Sequence, residues 1–404
     1  MVKPSVTLQD VKAAAQKLAQ VVYCTPLERN HTFSKMAGTE LFLKLENLQR
    51  TGSFKVRGAA NCIQNLPAEK KACGVITASA GNHAQGVARA ASELGIKATI
   101  VMPEAAPLAK IEATKGYGAE VVLAGADYDA AQAAALALQA KTGATFVHAY
   151  DQPDVIAGQG TIGLELLAQQ PDLDTVVVPV GGGGLLAGMA VAIKETNPRI
   201  KVYGVQAAGA SAMYLSTHAH KWVATPEVNT IADGIAVKKP GKVTFDLIEK
   251  YVDDIVVVTD DDIAATVLLL MERAKLIAEG AGATALAGIM HGSLTLGQKT
   301  AAVLSGGNID VNMISRIIEN GLVKSGRRMK IVTSLLDRPG ELLKFISYIK
   351  EYRANIIYIS HERTGKDLAI GQTLVEMDLE ISNHEHGEGL ILALRRAGYH
   401  VDFI

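Results

Sequence analysis

The sequence predicts an α/β protein built on parallel sheet, with a separate C-terminal module of ferredoxin-like order. Three observations carry that prediction. Between about residues 41 and 206, short apolar runs alternate with segments of helical length, the pattern of a parallel sheet covered by helices. Near residue 325 the alternation gives way to a βαββαβ order. Glycine is abundant, with 38 residues against 12 prolines in a chain of 404. That is neither a collagen nor a linker composition, and it assigns local work to the backbone.

The elements follow in order. Thr7 and Asp10 have the spacing of a helix start, and an amphipathic run continues through Leu18. Leu41–Leu45 and Gly74–Ala78 read as strands, and a helix follows from Asn82 to Leu94. Ala98–Met102 is a strand, then comes a helical segment ending near Gly116. Glu120–Leu123 is a strand and Tyr128–Thr142 a helix. Thr175–Val180 is a buried strand, Leu185–Glu195 a helix and Lys201–Gln206 a strand again. Residues 324–328 (Lys-Ser-Gly-Arg-Arg) read as a linker. After it come strand Lys330–Leu335, helix Gly340–Tyr352, strands Asn355–Glu362 and Leu368–Leu379, helix His386–Ala397 and strand Tyr399–Phe403.

Composition removes several function classes. Forty basic residues balance 41 acidic ones, so the electrostatic footprint of nucleic-acid binding is missing. Aromatics at 5% are too sparse for a base-stacking platform. Cys24, Cys62 and Cys73 are odd in number and lack metal spacing, and read as free thiols of a reducing compartment. No signal peptide opens the sequence and no apolar stretch reaches membrane-spanning length; even Ala-rich 130–140 is interrupted by Gln132 and Gln139. A cytoplasmic location without membrane partners is expected. His218-x-His220 and His384-x-His386 lack further ligands and are expected in surface loops, so no metal is assigned. Asp260 to Asp262 are expected to cap a helix running through Met271.

Four motifs carry chemistry. Gly181-Gly182-Gly183-Gly184-Leu185 follows a buried strand and opens a helix, which suits a phosphate held by backbone N–H groups. Gly182-x-Gly184-x-x-Ala187 also fits a dinucleotide fingerprint, but the next strand ends at Gln206 rather than an acid. A single phosphate monoester fits better. Lys55, after Thr51-Gly52-Ser53-Phe54, is a Schiff-base candidate if buried, because burial lowers its pKa and frees the amine. Ser79-Ala80-Gly81-Asn82-His83 links a strand to a helix N-terminus, a place for a carboxylate, and Asn82 can donate to an oxyanion. Ser305-Gly306-Gly307-Asn308 follows the apolar strand Ala301–Leu304 and lets a flat ligand come close.

Together with Thr230–Gly234 and Glu279–Gly282, these segments stand in the order found in fold-type II pyridoxal 5′-phosphate (PLP) enzymes. The chain resembles the threonine dehydratase and serine racemase group of that family over roughly residues 5–320. Leu336-Asp337-Arg338-Pro339-Gly340 resembles the start of an ACT regulatory domain, so the whole chain is similar to the form of threonine ammonia-lyase that carries one such domain. The resemblance implies a tryptophan synthase β-like catalytic domain over 1–325, with two parallel-sheet lobes and the smaller, about 52–155, inserted. It implies an ACT domain over 328–404.

Site roles come from the same resemblance. Lys55 would carry PLP and act as base, and Phe54 would pack on the cofactor ring. Asn82 would bond the ring oxygen. Gly181, Gly182, Gly183, Gly184 and Leu185 would cradle the phosphate, and Ser305 would meet the pyridine nitrogen. Ser79, Gly81, Asn82, His83 and Gly234 would hold the amino-acid substrate. Asp337, Arg338, Pro339 and Gly340 would serve an amino-acid or metabolite effector, with feedback by isoleucine or valine as one option. A serine hydroxyl does not keep the pyridine nitrogen protonated, which favours β-elimination over transamination, the cofactor supplying the chemistry and the protein its orientation. The expected reaction is loss of water and ammonia from L-threonine, and from L-serine, in a homodimer or homotetramer.

Two departures narrow the choice. Serine racemases carry a serine at the position of Ala80, which cannot move a proton. A divalent-cation site of some relatives uses acids after the strand ending at Gln206; here residues 206–212 hold none, leaving only a monovalent ion held by carbonyls. The alternatives are a serine racemase or serine dehydratase, a β-replacing synthase such as threonine synthase, and a catalytically silent ligand sensor.

Overall fold

Strands from both sides of residues 75–146 share one sheet, while that intervening stretch builds a second sheet of its own. The computed structural model describes residues 6–291, 294–364 and 368–403. The first sheet uses β1 (Leu27–Arg29) and β2 (Glu40–Leu45); the second uses β3 (Val75–Ala78), β4 (Ala98–Met102), β5 (Glu120–Leu123) and β6 (Thr145–Phe146). The chain then returns to the first through β7 (Thr175–Pro179), β8 (Lys201–Ala207), β9 (Asp254–Val258) and β10 (Lys299–Leu304). The first sheet runs β1-β2-β10-β7-β8-β9 and the second β5-β4-β3-β6. All pairings are parallel except β1 with β2, which closes one edge.

Parallel strands need both faces covered, so they read as continuous apolar runs. Every residue of β7 is buried. Helix Gly280–His291 is buried along nearly its whole length and packs on β7 and β10. Helices Pro153–Gln169 and Gly184–Thr196 cross where two glycines meet: a Cβ on Gly188 would lie 2.2 Å from the Ile156 carbonyl oxygen. Helices Pro153–Gln169 and Lys55–Asn65 are absent from the sequence reading. Both are mostly enclosed by protein, with polar residues such as Arg57, Asn61 and Gln159 buried among the apolar ones.

Behind the start of helix Lys55–Asn65 lies a buried charge network. The Arg57 guanidinium donates to Glu46 (2.8 Å at both Oε1 and Oε2) and to Glu165 (2.6 Å to Oε1). Lys44 Nζ donates to Glu165 Oε2 at 2.6 Å and to the Thr25 carbonyl at 2.8 Å. Burial alone would raise the Glu46 carboxyl, but the Arg57 guanidinium beside it holds it below its ordinary value.

The chain divides into two compact units at Ile309/Asp310. The second contains helix Val311–Lys324, then β11 (Arg328–Leu336), helix Glu341–Glu351, β12 (Asn355–Glu362), β13 (Gln372–Glu380), helix His384–Arg396 and β14 (Val401–Phe403). Its antiparallel sheet has the order β12-β13-β11-β14, that of a ferredoxin-like βαββαβ module. Ile331, Phe345, Val375, Met377 and Leu390 fill its core. The polar linker shrinks to residues 325–327, because the preceding helix runs through Lys324 and β11 begins at Arg328. The strand expected from Leu368 to Leu379 is observed over Gln372–Glu380. His384 and His386 lie on the first turn of a helix rather than in a loop.

Gly188→Ala forces a methyl into the helix crossing. It is expected to destabilise the chain by about 1–3 kcal/mol, the usual cost of overpacking, read as a lowered thermal midpoint.

Candidate active site

Four loops leave the carboxyl ends of parallel strands, where α/β sheets bind ligands. They are residues 79–81 after β3, 147–152 after β6, 181–183 after β7 and 305–308 after β10. Three of them join the segment before Lys55 into one site.

The loop after β10 is stitched to that segment. Phe54 N–H donates to the Ser305 carbonyl (3.1 Å) and Gly307 N–H to the Gly52 carbonyl (2.8 Å). Gly52 has φ +70°, and a Cβ there would strike Asn308 Oδ1 at 2.3 Å, so only glycine serves. Lys55 then begins its helix with its amine buried. Nζ donates to the Ala149 carbonyl at 3.1 Å and lies 5.1 Å from the Phe54 ring centroid. Burial pushes the Lys55 amine down to about 8, against the opposing pull of Glu279. Phe54 itself packs against the core of the larger sheet.

Asn82 opens helix Asn82–Glu93 and its amide is held at both ends. Nδ2 donates to Glu279 Oε1 (2.6 Å), and Oδ1 accepts from Asn308 Nδ2 (2.8 Å). No side chain caps this helix, and a Cβ on Gly81 would meet nothing within 4 Å. The Ser79 hydroxyl accepts from Gly81 N–H at 3.2 Å. The His83 ring, in contrast, turns into the core, where Nε2 meets the Val147 carbonyl at 2.9 Å. Burial pushes it down to about 3 and keeps it neutral, so His83 offers this loop only its backbone. Gly234 sits close by: a Cβ there would lie 2.9 Å from Ala281 Cβ and 3.4 Å from Glu279 Oε1.

The tetraglycine loop has a second reason for its composition. Gly183 takes φ +95° as the uncapped N-cap of helix Gly184–Thr196. Gly182 and Gly184 are backed by Tyr150, whose ring a Cβ on Gly182 would strike at 2.4 Å. Tyr150 also donates from its hydroxyl to the Lys239 carbonyl (3.0 Å), and Asp151 accepts from Val243 N–H (2.9 Å). Thr244 Oγ1 and Gly241 N–H then donate to the Gly182 carbonyl (2.6 and 3.1 Å). The glycines are required by packing behind the loop as well as by a ligand in front. Sequence reading misses Tyr150 because β6, which precedes it, is two residues long.

Glu279 is the other residue missed, although its motif was legible. Its carboxyl is buried, and burial, with Asp233 nearby, pushes it up to about 7. Asp233 itself pairs with Lys110 of helix Leu108–Gly116 at 2.7 Å. Ser305 Oγ donates only a long 3.3 Å bond to the Ala281 carbonyl and keeps its acceptor capacity.

These features fit PLP: a buried amine of lowered pKa, an uncapped helix end for a phosphate, a hydroxyl at a strand end, and open space at Gly81. Asp337, Arg338, Pro339 and Gly340 lie in the second unit, where the Asp337 carboxylate accepts from Arg363 Nε at 3.0 Å. Among the described residues no group of three or more His, Cys, Asp or Glu could hold a metal, and no helix is long and apolar enough to cross a membrane. Asp262 makes the expected capping box with Thr259, whereas Asp260 instead accepts from Thr230 Oγ1 (2.5 Å) and Ile231 N–H (3.0 Å).

The free amine of Lys55 predominates above its pKa, so capture of PLP by the apo-protein is expected to rise with pH around a midpoint near 8 rather than 10.5. Stopped-flow absorbance checks this.

The family described as "Pyridoxal-phosphate dependent enzyme" matches residues 18–306. An L-threonine ammonia-lyase of Thermotoga maritima is 50% identical over 399 residues, covering 99% of this chain and 100% of that one. The processed form of threonine deaminase isoform 2 from Solanum lycopersicum superposes with a TM-score of 0.74 at 39% identity, over 78% of this chain and 90% of that one. A maize serine racemase structure gives 0.75 at 35% identity, over 80% and 99%. With that likeness spanning the site as well as the sheets, the chain belongs to the pyridoxal-phosphate-dependent enzymes, in their threonine ammonia-lyase family.

Proposed function

We propose that this chain converts L-threonine to 2-oxobutanoate and ammonia, and L-serine to pyruvate and ammonia. The observation that carries this reading is Lys55: a buried amine of lowered pKa, preceded by Phe54, whose N–H is bonded to the Ser305 carbonyl, and acted on by Glu279 of the Asn82–Glu279 pair. Bound here, PLP supplies the electron-withdrawing ring that acidifies the Cα–H of an amino acid.

The chain's own residues do the rest. The uncapped N-terminus of helix Asn82–Glu93 binds the substrate carboxylate, with Gly81 and the Ser79 hydroxyl beside it. Asn82 and the backbone of residues 181–185 would hold the cofactor's ring oxygen and phosphate, and Ser305 would meet its ring nitrogen. Lys55 Nζ takes the Cα proton. The β-hydroxyl leaves as water with a proton, and the released enamine is hydrolysed by one water to the oxo acid and ammonia. Ala80 offers no second base, so the proton has no route back to the opposite face.

The C-terminal unit is read as an ACT domain. An effector near Asp337, Arg338, Pro339 and Gly340 is supported by the family's sequence pattern and by Gly340, whose φ of +94° opens helix Glu341–Glu351. Exposed Ile357, Tyr358 and Ile359 on edge strand β12 support self-association into a dimer or tetramer.

An oxo-acid assay with L-threonine and L-serine is expected to show turnover, with no D-serine by chiral chromatography. Lys55→Ala is expected to lose at least about a hundredfold to ten-thousandfold in rate, the scale of a proton-transfer group. Absence of turnover on either substrate sinks the reading. Truncation after Gly326 is expected to keep turnover while removing the response to branched-chain amino acids; an unchanged response disproves the regulatory role.

A further inference from the structure

We propose that Glu279 is a positioning residue whose carboxyl fixes the Asn82 amide in the one orientation that leaves its second Nδ2 hydrogen for the cofactor's ring oxygen. The inference rests on the reading of Asn82 as the group that meets that oxygen.

An asparagine amide can rotate and can exchange its oxygen and nitrogen ends, so its donor end is defined only by its partners. Asn82 has two, on opposite ends. Asn308 Nδ2 donates to Asn82 Oδ1 at 2.8 Å, and is itself bound to the Thr51 carbonyl at 2.8 Å. Nδ2 of Asn82 must then be the donor end, and Glu279 Oε1 takes one of its hydrogens at 2.6 Å. A carboxyl is the fitting partner because, charged or neutral, it retains an acceptor oxygen for that bond.

Glu279 is built into place. Its backbone N–H donates to the Gly306 carbonyl (3.1 Å), and a Cβ on Gly306 would strike its Oε1 at 2.4 Å. A Cβ on Gly282 would lie 2.0 Å from that same carbonyl oxygen. Gly306 thus makes room for the carboxyl beside Gly234 and Asn82, and Gly282 lets the two loops approach. The charged groups acting on it come from three elements: Asp233 of the turn Asp233–Ile235, Lys110 of helix Leu108–Gly116, and Lys55. Burial and Asp233 push the carboxyl up to about 7, so it is neutral below and charged above. The charged form holds the Asn82 donor more firmly, which ties the setting of the amide to pH.

The test uses the full-length holoenzyme and its Asn82→Ala, Glu279→Ala and Glu279→Gln variants. The PLP dissociation constant and the visible spectrum of the bound cofactor are measured against pH. Asn82→Ala and Glu279→Ala are each expected to weaken PLP binding about tenfold, the scale of one lost hydrogen bond to a charged group. Glu279→Gln retains an acceptor oxygen and is expected to stay within about threefold while lacking the spectral inflection near 7 expected of the wild type. Unchanged binding in Asn82→Ala overturns the reading of Asn82, and this inference with it. Weakened binding in Asn82→Ala but not in Glu279→Ala overturns the inference alone. If Glu279→Ala does not fold, Glu279→Gln decides: an inflection that persists in it overturns the proposal.

Discussion

Two backbone hydrogen bonds, Phe54 N–H to the Ser305 carbonyl and Gly307 N–H to the Gly52 carbonyl, hold together what would otherwise be distant parts of the chain. They place the residue before the reactive lysine against the end of β10. Because β10 is paired on both sides by parallel strands, the join inherits the rigidity of the larger sheet. Lys55, Ser305 and Asn308 share one site because of it. The same join explains why Gly52 is glycine, since Asn308 occupies the space a side chain would need.

Two lysines show how burial alone does not define a role. Lys44 is fully buried but paired with Glu165 and the Thr25 carbonyl, within the network that also neutralises Arg57. Lys55 is buried with a carbonyl as its hydrogen-bond partner and no carboxylate in contact. A paired buried cation is a strut, whereas one without a salt bridge surrenders its proton readily and becomes a nucleophile or a base. Arg57, two residues beyond Lys55, anchors the helix from behind while the lysine faces the site.

Much of the fold was legible. Ala98–Met102, Tyr128–Thr142 and Asn355–Glu362 appear with the bounds their periodicity implies. The strand–glycine–helix loops were legible because the residue types that bring a backbone near a ligand are few. Helix Pro153–Gln169 was not, since burial on all sides erased its polar face, and β1 was not, since three residues carry no period. His83 looked like a candidate ligand group beside Asn82, but helix geometry turns its ring toward the Val147 carbonyl.

The sequence by itself determined the α/β class, the ferredoxin-like tail and the set of loops that gather around one anion. Those depend on local periodicity and on glycine's backbone freedom, both of which are properties of short stretches. Tertiary structure decided the rest. Which carboxyl fixes Asn82, which ring stands behind the glycines and how far the Lys55 amine is stripped of solvent all depend on contacts between different elements of the chain. Hydrogen-bond orientation and desolvation are set by what encloses a group, and enclosure exists only once the chain has closed on itself.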